Sequence, residues 1–187
     1  MRNTAFFVAG FVLLLLQSNL FRPIVALLRL LRWTVGASGD VTLPGLSPSL
    51  LLPLIVFMGV HEYSLARGAG VAFALGYLSD LVGIAPIGLT TSTYVAIFVL
   101  ARAAGVRLAA QTMPMQVGLG LAFTLVHDVM ILVLIAIFGR DPYVPRVLYP
   151  SILPHILMTG LLAPIIFRVA ARVHSITVSG ASKELLP

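Results

Sequence analysis

The chain has 187 residues, 59% of them hydrophobic and only 10% charged, with a formal charge of +6 and no cysteine. A water-soluble domain of this size has too much surface for its volume to hide so large an apolar fraction, so lipid is the solvent for most of the chain. The missing cysteine excludes disulfides, thiolate metal sites and cysteine nucleophiles. The basic residues sit at the ends of apolar runs without interleaved aromatics, which makes them membrane-flanking anchors and argues against a nucleic-acid partner.

A spanning helix needs roughly 20 apolar residues, and six of them with short loops account for the length. The expected fold is therefore all-α, a polytopic integral membrane protein built as a single bundle of six transmembrane helices with an interfacial amphipathic helix after the first span. Span 1 covers about residues 4–20. Arg2 ahead of an apolar run resembles a secretion signal, but Gln17, Ser18 and Asn19 follow with no small-x-small cleavage site, so the run reads as an uncleaved span. Residues 22–33 set Arg22, Arg29 and Arg32 among aliphatic side chains; too short and too basic to span, they predict a helix lying at the interface with Trp33 at headgroup level. Span 2 covers about 48–61, with Pro53 in its first turn or at a kink. Span 3 covers 68–84. Span 4, at 86–103, and span 5, at 114–138, are each opened by a proline, Pro86 and Pro114, where the missing N–H costs little. Span 6 covers 151–173, and 174–187 form a polar tail.

An even number of spans puts both termini on one side. With that side cytoplasmic, the inner segments hold Arg2, Arg67, Arg102, Arg107, Arg168, Arg172 and Lys183, against Arg22, Arg29, Arg32, Arg140 and Arg146 outside. The excess of inner cations favours cytoplasmic termini.

Span 3 carries the strongest local pattern. Gly68, Ala72, Gly76 and Asp80 recur every four residues and form one stripe on a helix. Small residues at this spacing let two backbones approach closely in lipid. Span 5 repeats the arrangement with Gly120, Thr124 and Asp128. Both spans run in the same direction, so both aspartates fall in the outer half of the bilayer, and His155 near the start of span 6 lies at similar depth. An ionised carboxylate there must be paired, hydrated or protonated. Two readings stay open: a polar site or proton relay made of Asp80, Asp128 and His155, or helix-packing carboxylates satisfied by backbone, by water or by hydroxyls such as Ser79, Thr90, Thr91 and Ser92.

His61-Glu62 lacks the second histidine a zinc-protease helix needs four residues on, where Leu65 stands. No glycine-rich phosphate loop, Ser/His/Asp set or metal-ligand cluster is assembled, and His127, His155 and His174 are scattered singly. The expectation is a protein without catalytic residues, metal or cofactor.

The stretch Gly76-Tyr77-Leu78-Ser79-Asp80-Leu81-Val82-Gly83-Ile84-Ala85-Pro86-Ile87-Gly88-Leu89 resembles the G-[FY]-x-x-D-x-x-x-x-x-P-x-G-L turn of the rod shape-determining protein MreD family. The motif covers fourteen residues of this chain; the layout of six spans and a short polar tail agrees over its whole length. Leu78-Ser79 departs from the Gly-Leu that typically precedes the family's aspartate, and the basic segment 22–32 is longer than the family's. The resemblance implies a non-enzymatic inner-membrane subunit of the bacterial elongation machinery. Its partners would be MreC and, through it, a SEDS-family glycosyltransferase and a class-B penicillin-binding protein. It also implies a fold similar to the substrate-binding (S) subunits of energy-coupling-factor transporters. In that frame the residues for helix packing or partner binding are Gly68, Ala72, Gly76, Asp80, Gly83, Pro86, Gly88, Gly120, Thr124, Asp128 and His155. The rival expectation is a subunit that captures a small metabolite or vitamin from outside; Ala5 and Ala9, one turn apart in span 1, would then belong to a docking stripe. An intramembrane enzyme is disfavoured by the lack of paired glutamates, His-x-x-x-His or Ser/Lys arrangements.

Overall fold

The sequence Leu51–Val60 is apolar on every side, and a helix without a polar face has to be covered all round. In the computed structural model this segment is the centre of the molecule, with all ten of its residues buried. The structure describes residues 4–19, 48–61, 64–83, 86–104, 112–138 and 143–183, the last of these without the side chains of 143–151 and 178–183. The expected interfacial helix at 22–33 lies outside the described residues.

The described elements are helices: α1 (Thr4–Asn19), α2 (Leu51–Val60), α3 (Leu65–Val82), α4 (Leu89–Ala103), α5 (Met113–Phe138) and α6 (Tyr143–Lys183). Three stretches are long and apolar enough to cross a membrane: Leu65–Val82, Met113–Phe138 and Ile152–Thr177. Only 17% of the α5 window is buried inside the protein, so lipid has to cover the rest of that apolar surface. α2 differs from the expected second span. Its ten residues rise roughly 15 Å, about half the thickness of a hydrocarbon core, so the helix alone is shorter than a full crossing. α6 differs in the other direction. It begins before 151 and continues past Val173, and within it Ser175 and Thr177 turn their hydroxyls back onto the carbonyls of Arg172, Val173 and His174 at 2.8–3.0 Å. Polarity there marks the exit from hydrocarbon, not the end of the helix.

Contacts between helices fix their directions. The amide of Leu50 donates to Gln17 Oε1 near the end of α1, while Phe57 packs on Phe6 at the other end of the same pair. Gly68 faces the Phe98 ring and Gly76 faces the backbone of Thr91, so α3 and α4 are antiparallel. The Arg168 guanidinium reaches Met113 Sδ, and Gly120 lies against Gly160 and Ala163, so α5 and α6 are antiparallel too. Ser49 meets Tyr94 while Gly59 faces Ala101, and Ser49 meets Thr159 while Phe57 packs on Phe167, so α2, α4 and α6 run parallel and successive helices alternate in direction. Arg67, Arg102, Arg168 and Arg172 collect at one end of the bundle; Gln17, Ser49, Asp80 and Gly88 collect at the other. The core between them is built on Phe6, Phe57 and Phe167 together with Leu75, Ile97 and Phe98, all buried.

Candidate functional site

Asp80, in the last turn of α3, is 3% exposed and fully engaged. Its Oδ2 accepts from the amides of Gly88 at 2.9 Å and Thr91 at 3.1 Å and from the Thr91 hydroxyl at 2.7 Å, and its Oδ1 accepts from the amide of Thr90 at 2.9 Å. These donors are the start of α4. The residue at the N-cap position of α4 is Gly88, which has no side chain to cap with, so the carboxylate of the preceding helix does it. The negative charge also meets the positive end of the α4 dipole.

The surrounding residues make this geometry possible. Gly88 has φ 100, in the left-handed region where a side chain is strained. At Gly76 a methyl group would lie 2.6 Å from Thr91 Cα, so only glycine lets α4 come close enough for Asp80 to reach it. Pro86 accepts at its carbonyl from Leu89 N at 3.2 Å, and Gly83 donates to Ser79 O at 2.9 Å, closing α3. Ala72 is fully buried in the same interface.

Asp128 forms a second polar node, in α5. His155 Nδ1 of α6 lies 3.1 Å from its Oδ1 and 3.0 Å from its Oδ2, and His127 Nδ1 lies 3.1 Å from Oδ1. An ionised carboxylate can only accept, so both rings meet it through Nδ1–H. The cluster then carries one negative charge, which a single proton on either ring cancels. The His127 side chain is 6% exposed and its Nε2 is buried with no partner among the described residues, whereas the His155 side chain is 19% exposed. Thr124 of the same stripe turns its hydroxyl onto Gly120 O at 2.6 Å, and Gly120 is in backbone contact with α6.

The two nodes are separate. Among the described residues no hydrogen bond joins Asp80 to Asp128 or His155; Tyr94 of α4 stands by the second node, its ring 5.6 Å from that of His127. Tyr94 Oη lies 3.3 Å from Ser49 Oγ, and Ser49 N donates to Thr159 Oγ1 of α6 at 3.0 Å. With Gln17 taking the amide of Leu50, the buried start of α2 is capped by side chains of α1 and α6. Sequence reasoning brought Asp128 and His155 to one depth but left His127, Tyr94, Ser49, Thr159 and Gln17 out. The signal for His127 was present: it lies seven residues after Gly120 and three after Thr124, on the same face of a helix.

Chemically, the second node can hold hydrogen bonds and a proton. No hydroxyl among the described residues is hydrogen-bonded to either imidazole. The described residues contain no group of three or more His, Cys, Asp or Glu able to hold a metal. No protein-family model, curated protein or solved structure matches this chain.

Proposed function

We propose that this chain is a non-catalytic inner-membrane subunit of the bacterial cell-elongation complex, of the MreD kind. In this reading it binds MreC and supports peptidoglycan synthesis by a SEDS glycosyltransferase and a class-B penicillin-binding protein. One observation carries the proposal. Gly76, Asp80, Pro86, Gly88 and Leu89 of the stretch that gives the resemblance serve one joint, in which Asp80 caps α4 through four hydrogen bonds from protein donors. A carboxylate so occupied holds helices together and leaves little for substrate. The remaining apolar surface suits binding to other membrane helices, since close van der Waals packing drives such association in lipid. In this proposal the shorter helices complete six crossings, with the arginine-rich end and both termini in the cytoplasm.

The test is a pull-down from membranes in mild detergent. Recovery of MreC is the expected result, and recovery of paired ATPases in its place would sink the proposal. A second reading, a metabolite-capturing subunit, is favoured by one feature: the unpartnered Nε2 of His127 beside Asp128 and His155. Under that reading Asp128→Asn abolishes saturable uptake of a small molecule while the protein stays folded.

A further inference from the structure

Arg168 and Arg172 stand one turn apart on the exposed face of α6, at the arginine-rich end of the bundle. They line an open cleft of about 580 Å³ with Ser175, Ala171, Ile165 and Val169. Among the described residues neither guanidinium meets a carboxylate; Arg168 reaches only the weak acceptor Met113 Sδ at 3.4 Å. The described acids, Asp80 and Asp128, are bound elsewhere: the first at the far end of the bundle, the second to its histidines. Two planar donor groups that meet no carboxylate among the described residues are suited to a phosphate.

The apolar part of the same face continues the site toward the bilayer centre. Leu157, Leu161, Ile165 and Val169 recur every four residues and are all exposed, which gives an acyl chain a track leading from the two arginines. Ser175 already donates its hydroxyl proton to Arg172 O at 2.8 Å, so toward a ligand its oxygen can only accept. That favours a headgroup carrying a hydroxyl. We infer that this cleft is a binding site for an anionic glycerophospholipid, its phosphate held between Arg168 and Arg172, a headgroup hydroxyl donated to Ser175 and one acyl chain laid along α6. The inference rests on α6 as a membrane-crossing helix and is independent of which complex the chain joins.

The full chain, purified in mild detergent, is to be incubated with phosphatidylglycerol or phosphatidylcholine and the retained lipid measured by native mass spectrometry. Retention of phosphatidylglycerol is expected to exceed that of phosphatidylcholine, and Arg168→Gln/Arg172→Gln to weaken it by roughly thirty-fold, the effect of two cations near a lipid surface. Arg67→Gln, at the same end of the bundle but outside the cleft, should leave retention unchanged. Arg168→Lys/Arg172→Lys, which keeps charge and loses the planar fork, should fall between. Excess inorganic phosphate should not displace the lipid, because the chain contributes to holding it. Equal retention of the two lipids would overturn the inference, as would an Arg67→Gln loss as large as that of the double variant. Displacement by phosphate alone would also overturn it, by making the cleft a site for free anions.

Discussion

Asp80 accepts four hydrogen bonds, and replacing one of its oxygens with an amide nitrogen leaves a donor facing a donor. In Asp80→Asn the retained oxygen can serve Gly88 and Thr91, while the new NH2 group opposes the amide of Thr90. The expected cost is about 1–3 kcal/mol, read as a lower midpoint of thermal unfolding in detergent, with Asp80→Ala lower still. A wild-type midpoint together with loss of a bound small molecule would instead make Asp80 a ligand residue. Gly76→Ala puts a methyl 2.6 Å from the Thr91 backbone, which cannot give way as a side chain can. It should destabilise by about 1–3 kcal/mol. Gly70 is the control in the same helix: a methyl there meets nothing within 4 Å, so Gly70→Ala should be neutral or stabilising by up to about 1 kcal/mol. Equal effects at the two glycines would refute the close approach of α3 and α4. At this scale the α3–α4 joint was legible in the sequence, because glycine, aspartate and proline each impose a local constraint at fixed spacing. Tyr94, Ser49 and Thr159 were not, because a hydroxyl in an apolar run says nothing about which distant helix supplies its partner.

Between elements, the Asp128–His155 contact is the polar link from α5 to α6, beside the backbone approach at Gly120 and Gly160. Its geometry makes a specific demand. The carboxylate meets Nδ1 of His155, and the side-chain nitrogen of asparagine occupies nearly the position of Nδ1. His155→Asn should therefore keep much of the stability that His155→Ala loses. A double-mutant cycle of Asp128→Asn with His155→Ala should give a coupling of about 0.5–3 kcal/mol. Additive effects within error would mean that the pair does not hold the two helices. Element lengths were the least legible feature. α2 reads as a span because its composition is apolar throughout, yet that same all-round apolarity let it be buried as a short axis. α6 outruns its apolar segment, and its serine and threonine hydroxyls are satisfied by the helix's own carbonyls. Hydropathy reports the solvent of a helix more faithfully than its ends.

Across the whole molecule, the arginines at one end and the carboxylates toward the other make a polarised bundle. Asp80 lies roughly 20 Å along α3 from Arg67, and His155 roughly 25 Å along α6 from Arg172. The absence of cysteine makes this polarity directly measurable. Ile87→Cys and Ala104→Cys, at opposite ends of α4, should react with a membrane-impermeant maleimide from opposite sides. With the arginine end cytoplasmic, Ile87→Cys labels in intact spheroplasts and Ala104→Cys only after lysis. Labelling of both from one side would refute α4 as a crossing helix. The all-helical character and the alternating directions follow from composition and from the number of apolar runs, so they were legible in the sequence. The pairing of α2 with all its neighbours was not, since an apolar face names no partner.

The capping of helix starts by side chains of other helices has a consequence for how the chain is made. Asp80 precedes Gly88, Thr90 and Thr91 by eight to eleven residues, so a ribosome delivers the cap before the helix that needs it, and α3 and α4 can leave the translocon as a finished pair. The start of α2 is treated differently. Gln17 has already been synthesised when Leu50 emerges, but Thr159 follows Ser49 by 110 residues. Until α6 is inserted, the amide of Ser49 lacks its acceptor at the buried start of α2. A nascent chain stopped after Phe138 should accordingly be degraded faster by membrane proteases than the full chain, with a pulse-chase half-life that recovers on co-expression of the missing helix. Equal half-lives would show that the central helix settles without waiting for the last one.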